Sequence, residues 1–467
     1  MGYMMRNVVK AFLLGAVSFA PSVAWSESLA DALIAAYRNS HLLDQNQAVL
    51  RAADEDVATA VGSLLPVISF VSKVGRVQTN IPDGRTSFFS QDGFSTSGSS
   101  SLQASITLLD FGRGKTTVAL KNELVLASQA ALVGVEQQVL FDAVQAYVNV
   151  ALQADLVATQ ESNVKLIGQD LQATKDRFDV GEVTKTDVSL AEAQLASAKA
   201  QLALAQGNYT VAKERYNAAI GHYPDHLSAL SRNPVAVKSV DEARAIALRG
   251  HPAVAQAAHQ AKASDLGVDL AKAQMSPTLG LSTSLSETYD SDGLASSVSS
   301  VGVQLDQTLY AGGRLSSALR KAIAQQGEAH AGQLQTGVNV TEAVGKAWSN
   351  ILVAKASIAA TDEQIRAAQA AYDGVKQEAE LGSRTTLDVL NAEQDLLSAK
   401  ASQLQAQANL SVSQYGLLAA MGVLTADQLH LGIPTFDPAA YFNAVKKAPA
   451  TSARGAKLDK ILKTLGK

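Results

Sequence analysis

Residues 180–200 read VGEVTKTDVSLAEAQLASAKA, and residues 381–401 read LGSRTTLDVLNAEQDLLSAKA. The two stretches lie 201 positions apart and share a glycine, a threonine, an aspartate and a long alanine-rich pattern. A second pair, SLADALIAAYRNSHLLDQ at 28–45 and SVDEARAIALRGHPAVAQ at 239–256, lies 211 positions apart. Self-similarity of this length indicates a duplicated structural unit.

Each unit predicts the same order of elements. The first unit, 27–238, predicts a helix, a strand hairpin at about 66–110, a long helix at 114–179, a tip at 180–185, a return helix at 185–220 and a linker at 221–238. The second unit, 239–432, predicts a helix, a strand hairpin at about 277–310, a long helix at 315–379, a tip at 380–386 and a return helix at 386–421. Residues 433–467 are a C-terminal segment with a basic tail.

The hairpin segments after Pro66 and Pro277 alternate apolar and polar residues. The apolar positions include Leu102, Ala104, Ile106 and Leu108 in the first unit and Val301, Val303, Leu305 and Leu309 in the second. A period of two fits strands with lipid on one side and water on the other. Soluble, half-buried strands show the same pattern, so the alternation by itself leaves both interpretations open.

The two long helices contain no proline, and about 65 residues at 1.5 Å each span on the order of 100 Å. No globular core covers such a helix, so the pattern predicts a coiled coil or the wall of a tube. The first return helix carries a ladder of alternating large and small residues, which suits knobs-into-holes contact. Its members are Val188, Ala191, Leu195, Ala198, Leu202, Ala205, Tyr209, Ala212, Tyr216 and Ala219. The shorter first helix of each unit is expected to stack end-on and cover the rest of the long helix.

The segment LDFGRGKTTV at 109–118 contains the GKT of a phosphate-binding loop, but the first glycine of that motif would fall on Leu109. LLDFGR at 108–113 parallels TLYAGGR at 308–314, and the second copy has no GKT. We therefore interpret residues 112–114 and 312–314 as equivalent joints where a strand becomes a helix. The joint residues are Gly112, Arg113, Gly312, Gly313 and Arg314.

Residues 1–26 predict a secretory signal peptide, with Arg6 and Lys10 before the apolar run AFLLGAVSFA. An N-terminal membrane anchor is the alternative.

The chain has no cysteine, which excludes disulfides, thiol catalysis and a lipid-modified cysteine. Its formal net charge of −4 does not favour binding to nucleic acid. No motif for catalysis or for a cofactor is present. His222 and His226 are spaced for a metal, but Pro224 separates them and no third ligand is evident.

The duplicated order of elements, the LLDFGR and LYAGGR joints, the paired tips and LGIPTFDPAAYF at 431–442 together resemble the TolC family of outer-membrane channel-tunnels. The resemblance covers essentially the whole mature chain. It implies a mainly α fold with a β-barrel: a homotrimer in which four membrane strands per chain close a twelve-stranded barrel above a long helical tunnel in the periplasm. It implies a passive exit duct in outer-membrane lipid, with a periplasmic adaptor and an inner-membrane pump of ABC, RND or MFS type as partners, in a tripartite efflux pump or type I secretion system.

The resemblance also implies a gate at the periplasmic end. The matching positions are Asp187, Arg384 and Asp388, with Asn391 where the family has a second acidic ring and Ala379 where it has a tyrosine. Arg384 is expected to pair with Asp187 on a neighbouring coil. Solvated helix faces, or helix N-caps for the aspartates, are the plainer interpretation. The residues expected to contact an adaptor are Gly181, Val183, Leu381, Gly382 and Ser383.

Two alternatives stay open on sequence alone. A periplasmic coiled-coil scaffold or adaptor with a soluble strand domain is the first, and an NTPase is the more distant second.

Loops 81–97 and 290–297 are polar and rich in glycine and serine, so we expect them outside the cell. The basic residues of 446–467 predict a mobile tail or contact with an anionic envelope polymer.

Overall fold

The computed structural model of the protein describes residues 26–79, 93–229, 237–290 and 295–446, with Lys457 and Lys460 of the tail. The first unit contains α1 (Leu29–Asn39), α2 (His41–Gly62), β1 (Val67–Thr79), β2 (Gly93–Leu109), α3 (Arg113–Asp179) and α4 (Lys185–Ile220). The second contains α5 (Val240–Gly250), α6 (Pro252–Ala273), β3 (Thr278–Asp290), β4 (Ala295–Asp306), α7 (Arg314–Glu380) and α8 (Thr386–Ala420), and α9 (Pro438–Val445) follows. The predicted signal peptide up to residue 25, the centres of both hairpin loops and most of the basic tail lie outside the described residues.

A short helix that the sequence analysis did not separate precedes the first predicted helix of each unit. α1 and α2 meet at Ser40, whose extended backbone ends one helix and whose side chain accepts the N–H of Leu43 to begin the next. α5 and α6 meet at His251, whose imidazole accepts the N–H of Ala253, and Pro252 takes the first helical position. These breaks let α1 turn onto α3 and α5 turn onto α7.

The four strands form one antiparallel sheet in the order β1-β2-β3-β4, so β2 and β3 join the two hairpins. Leu102 lies opposite Phe70 on β1 and Leu285 on β3, while Leu281 lies opposite Ile106 on β2 and Val303 on β4. This register places most apolar residues of the four strands on one face. The other face is mostly polar, with serine and glutamine side chains opposite one another, and also holds Val67, Val71 and Val298.

The alternation breaks near the two joints. The β2–β3 register shifts between Thr107 and Leu109, so Leu108 falls in an irregularity of the sheet and Leu109 lies opposite Leu279. Strand β4 ends at Asp306, which leaves Leu309 beyond the strand and 93% exposed. The prediction that Leu108 and Leu309 continue the alternation is therefore wrong, because the chain leaves the sheet there to begin a long helix.

The long helices α3 and α7 have 67 residues each, about 100 Å at 1.5 Å per residue. α4 packs along α3, and α8 packs along α7. The large–small ladder of α4 lies in this contact: Ala198, Ala212 and Tyr216 are buried, whereas Leu204 on the other side is 67% exposed. In the second unit Gln403 interrupts the ladder and donates to the carboxylate of Asp362 on α7.

The helix predicted first in each unit, α2 or α6, begins beside the end of the return helix, as expected from the sequence. Asn39, the last residue of α1, donates from Nδ2 to the carbonyl oxygen of Ile220, the last residue of α4, at 2.8 Å. In the second unit Gly422, just after α8, has φ +77, and a Cβ there would lie 2.7 Å from the Cα of His251. Glycine is needed at this close approach.

The main core lies at the level of this junction, where α1 to α4 meet. Tyr147 and Tyr216 are fully buried there, with ring centroids 6.4 Å apart. The Tyr147 hydroxyl lies 2.9 Å from the carbonyl oxygen of Glu27 and 2.8 Å from that of Ser228, so it ties both ends of the first unit together.

Helix α3 contains an 18-residue window with a mean hydropathy of 1.4, of which 33% is buried in the chain. Length and composition would allow that window to cross a membrane. α3 also packs against α1, α2, α4, α6 and α8, and a helix with five neighbours needs apolar residues for those contacts. The hydropathy of this helix is therefore weak evidence for a membrane span.

Candidate functional site

The first strand–helix joint is held by Asp110. Its carboxylate accepts the backbone N–H of Gly112 at 3.0 Å and that of Gly114 at 2.6 Å. A Cβ at Gly114 would lie 2.2 Å from Cδ2 of Leu64, so the glycine also permits close packing on the end of α2. A phosphate-binding loop needs such amides free for phosphate. The carboxylate occupies them here, which fits the hinge interpretation of GKT.

The second joint repeats the backbone of the first. Gly112 and Gly313 are both left-handed, with φ +89 and +81, and Phe111 and Gly312 before them have φ +53 and +59. The equivalent pairs are therefore Gly112 with Gly313 and Arg113 with Arg314. The sequence match of Arg113 with Arg314 agrees with this, whereas Gly112 matches Gly313 and not Gly312, because the structural repeat runs through the joint without a gap.

The tips are built by two matching helix ends. At the end of α3 the N–H of Gly181 donates to Phe178 and that of Glu182 to Arg177, at 2.9 Å each. The end of α7 has the same two bonds around Gly382, and the two glycines have φ +81 and +80. This is the Schellman arrangement, in which glycine avoids the strain of a left-handed residue.

Apolar side chains remain exposed at these turns. Leu381 is 86% exposed, and its equivalent Val180 in the first unit is 72% exposed. Sequence analysis selected Leu381 and missed Val180, although the pairing of VG with LG in the two tips would have found it. Val183 is half-buried, and the Ser383 hydroxyl donates to the carbonyl oxygen of Glu378 at 2.8 Å.

Asp187 and Asp388 each take the third position of a return helix. The carboxylate of Asp187 accepts the Thr184 N–H at 2.9 Å, and that of Asp388 accepts the Thr385 N–H at 3.0 Å. Each threonine hydroxyl in turn accepts the aspartate N–H, which completes a capping box, so the threonines rather than the aspartates are the N-caps. Hydrogen bonds with Thr184 and Thr385 lower the pKa of the two carboxyls.

Arg384 pairs within its own hairpin. Its Nε donates to Oε2 of Glu378 at 2.8 Å, and this carboxylate raises the pKa of the guanidinium. The first tip has a similar pair, Arg177 with Glu182 at 3.2 Å. Within one chain the structure thus joins Arg384 to Glu378 and not to Asp187, and the link to a neighbouring coil stays a prediction. Asn391 is exposed and Ala379 is half-buried.

A buried acid lies a few turns above the tip, and sequence analysis missed it. Glu393 on α8 is 4% exposed, and neither carboxylate oxygen has a hydrogen-bond partner among the described residues. Its pKa is raised to about 7, mainly by burial and also by the charge of Asp170 on α3, while Lys376 on α7 opposes the rise. The equivalent Glu192 in the first unit is instead paired with Lys175 at 2.9 Å. No sequence signal distinguishes the two glutamates.

The histidines considered for a metal do not form a site. His222 Nε2 lies 3.4 Å from the Glu27 carboxylate, and His226 Nε2 lies 3.9 Å from that of Asp225. Across the described ranges, no group of three or more His, Asp or Glu side chains is arranged to hold a metal ion.

A sheet with one apolar and one polar face, joined to helical hairpins about 100 Å long, defines a channel protein with a membrane sheet and a helical tunnel. The outer membrane efflux protein family matches residues 33–222 and 244–423, one range in each structural unit. The chain therefore belongs to the outer membrane efflux protein family.

Relatives and solved structures agree with this assignment. Outer membrane efflux protein BepC of Brucella suis biovar 1 (strain 1330) is 34% identical over 445 residues, covering 94% of this chain and 95% of BepC. Outer membrane protein TolC of Escherichia coli (strain K12) is 25% identical over 357 residues, covering 71% of this chain and 70% of TolC. The Campylobacter jejuni CmeC outer membrane channel has the same fold, with a TM-score of 0.74 at 17% identity, covering 95% of this chain and 98% of CmeC.

The family assignment confirms three predictions from the sequence: the fold class, the outer-membrane location with a periplasmic extension, and a channel rather than an enzyme. The helices α3, α4, α7 and α8 form the tunnel, and the four strands form the membrane end. The periplasmic scaffold and the NTPase, which the sequence left open, are thereby excluded.

Proposed function

We propose that the protein is the passive exit duct of a tripartite efflux pump or a type I secretion system, gated at its periplasmic tips. It works as a homotrimer, with a periplasmic adaptor and an inner-membrane pump of ABC, RND or MFS type. The chain does no chemistry, and the pump supplies the energy. The cargo passes through the lumen formed by the polar face of the strands and the inner side of the helices.

The observation that carries this proposal is the open, two-faced sheet. Phe70, Val74 and Val301 on its apolar face are 69%, 80% and 76% exposed, which suits contact with lipid and not with water. Four strands are too few to close a barrel. Unpaired backbone groups at the β1 and β4 edges cannot stay in lipid. Further copies of the chain satisfy both requirements, and family resemblance supports three.

The tips support contact with an adaptor. Val180 and Leu381 expose apolar side chains at turns far from the sheet, where no other described element covers them. Apolar side chains on rigid turns suit insertion between the helices of a partner. We infer that Gly181, Val183, Leu381, Gly382 and Ser383 shape this contact.

The gate proposal rests on charges at the second tip. Three copies of Asp388 would form one acidic ring where the tunnel narrows, and such a ring favours cations and binds multivalent ones. Asn391 adds no second ring. Within one chain the capping bonds to Thr385 lower the pKa of Asp388, which favours the ionised carboxylate that such a ring needs. Closure requires Arg384 to leave Glu378 for Asp187 of a neighbouring coil, or to bind both carboxylates, and opening breaks this link.

Single-channel conductance in planar bilayers tests the gate. Arg384→Glu should raise the conductance of the closed channel and sensitise cells to large antibiotics, since attraction becomes repulsion. An exposed pair contributes about 0–1 kcal/mol. Three pairs acting together would shift the balance of closed and open states by roughly tenfold or more, since 1.4 kcal/mol is a factor of ten. Asp388→Asn should remove block by multivalent cations without opening the channel.

Arg366→Glu is the control, because Arg366 forms an exposed ion pair with Glu363 on α7, outside the tip, and is not part of the proposed gate. Its conductance should stay close to that of the unmodified protein. If Arg384→Glu also conducts like the unmodified protein, and Asp388→Asn is still blocked, these residues are ordinary surface charges of the helices.

A further inference from the structure

Arg113 ties the first structural unit to the second. It is the first residue of α3, and its Nη2 donates to the carbonyl oxygens of Ala273 at 3.2 Å and Ser276 at 3.3 Å. Ala273 is the last residue of α6, where the last turn of a helix leaves carbonyl groups without helical partners, and Ser276 lies three residues beyond it. A guanidinium at this end also interacts favourably with the helix dipole.

Every part of this contact has an equivalent elsewhere in the chain. Arg314 is the first residue of α7, as Arg113 is of α3, and the N–H groups of the two arginines donate to the residue three positions back, Ala311 and Asp110, at 3.1 and 3.2 Å. The two joints thus have the same local geometry.

The end of α2 likewise repeats the end of α6. The Leu65 N–H donates to the Gly62 carbonyl at 3.0 Å, and the Ser276 N–H donates to the Ala273 carbonyl at 3.1 Å. Both pairs lie 211 positions apart, as do the two helices themselves. Gly62 and Leu65 are therefore the counterparts of the two residues that Arg113 contacts.

Within one chain, however, Arg314 does not contact the Gly62 and Leu65 carbonyls. Strand β2 lies beside β3, so Arg113 lies beside the helix that precedes β3. Strand β4 is an edge of the sheet, and the strand that would continue the order is β1 of another copy, which α2 precedes. Arg314 is exposed, and its guanidinium has no hydrogen bond or ion pair with any residue that the structure describes.

We propose that Arg314 donates hydrogen bonds to the main-chain carbonyl oxygens of Gly62 and Leu65 in the next copy of the chain, and so locks neighbouring subunits at the base of the barrel. The proposal rests on the homotrimer of the proposed function and adds the residues and the register of its interface. The contact is the intramolecular one of Arg113, repeated between subunits.

The same equivalence fixes the register of the strands between subunits. Within the chain Leu102 lies opposite Leu285, and their equivalents on β4 and β1 are Val303 and Val74. Val303 and Val74 are 62% and 80% exposed, and both belong to the apolar face of the sheet. Pairing them places apolar residues on the lipid side across the subunit boundary, which a slip by one residue would reverse.

Cysteine pairs test the register directly, because the chain has no cysteine of its own. Directly opposed residues of antiparallel strands have Cα atoms about 4.5–5.5 Å apart, within the range of a disulfide. Val303→Cys with Val74→Cys should give covalently linked subunits on oxidation in native outer membranes. Leu102→Cys with Leu285→Cys is the control for a bond within one chain, and Val303→Cys with Val71→Cys is the mismatched control.

The arginine contact is tested in the same way and by trimer stability. Arg314→Cys with Leu65→Cys should be joined between subunits by a short bismaleimide, whereas Arg113→Cys with Ser276→Cys should be joined within one chain. Arg314→Ala should speed dissociation of the trimer in detergent about tenfold, Arg314→Lys should do so less, and Arg113→Ala should leave the dissociation rate unchanged.

Some outcomes would overturn the interface and leave the exit duct standing. One is a trimer that inserts and exports normally but forms the disulfide of the mismatched pair and not that of Val303→Cys with Val74→Cys. The other is an Arg314→Ala trimer that dissociates as slowly as the unmodified one. If the unmodified protein itself formed no trimers and did not insert into the outer membrane, the proposed function would be wrong.

Discussion

Replacing the buried Glu393 by glutamine should stabilise the tunnel at alkaline pH and change it little at acidic pH. Glu393 is 4% exposed, its carboxylate has no hydrogen-bond partner in the described part of the chain, and burial raises its pKa from 4.5 to about 7. Lys376, which could neutralise it, instead lies over the ring of Tyr372, with Nζ 5.7 Å from the ring centroid.

The sign and size follow from the direction of this shift. A carboxyl whose pKa is higher in the folded protein is fully compatible with folding below its ordinary pKa, and its ionisation costs stability as the pH rises. The penalty begins near pH 4.5, grows up to about pH 7 and is constant above that. At 1.36 kcal/mol per pKa unit, it reaches about 3 kcal/mol at pH 8.5 and stays under about 1 kcal/mol at pH 5. Glutamine removes the penalty because it cannot ionise.

Thermal unfolding followed by helical circular dichroism, at pH 5 and at pH 8.5, measures the difference. Glu393→Gln should raise the melting temperature at pH 8.5 clearly more than at pH 5. Glu192→Gln is the matched control at the equivalent position, where an exposed ion pair with Lys175 is lost and the change should be within about 1 kcal/mol, similar at both pH values. A Glu393→Gln protein that is less stable than the unmodified one, or equally shifted at both pH values, would refute the reasoning.

Two further changes have expected outcomes. Asp54→Asn should also stabilise the protein above about pH 6, by about 2–3 kcal/mol in denaturant unfolding, because burial raises the pKa of this carboxyl on α2 to about 6 and it has no hydrogen-bond partner among the residues that the structure describes; unchanged stability at pH 8 would contradict this. Gly181→Trp and Gly382→Trp should each abolish export while trimers and barrel insertion persist, because both sites have positive φ and face open space where a partner would dock. Normal export by both variants would show that the tips do not carry partner recognition.

Local features of the chain could be predicted from the sequence because they depend on neighbouring residues. Gly181 and Gly382 end helices in a left-handed turn wherever the rest of the chain lies, and the threonine and aspartate after each turn form a capping box by themselves. Alternation predicted the two faces of the sheet for the same reason. It failed at Leu108 and Leu309, where the course of the chain into a helix overrides the strand period.

The gate residues show the limit of reasoning from motifs. Family resemblance selected Asp187 and Arg384 as partners, but within the chain each has a closer local partner, Thr184 and Glu378. A motif gives the residue types and their spacing along the chain. It does not give the competing groups that folding brings within hydrogen-bond distance, and Glu378 was not part of any motif.

The sequence by itself determined the duplicated unit, the order of its elements, the turns and the two-faced strands, since these follow from local backbone preferences and from periodicity. Only the tertiary structure decided what each member of an equivalent pair does. Glu192 is exposed and paired, whereas Glu393 is buried and unpaired; Arg113 caps a helix of its own chain, whereas Arg314 faces outward. The physical reason is that the two units share the same local pattern but have different neighbours, because the first unit packs against the second within one chain, while no described element of the same chain covers the outer edge of the second.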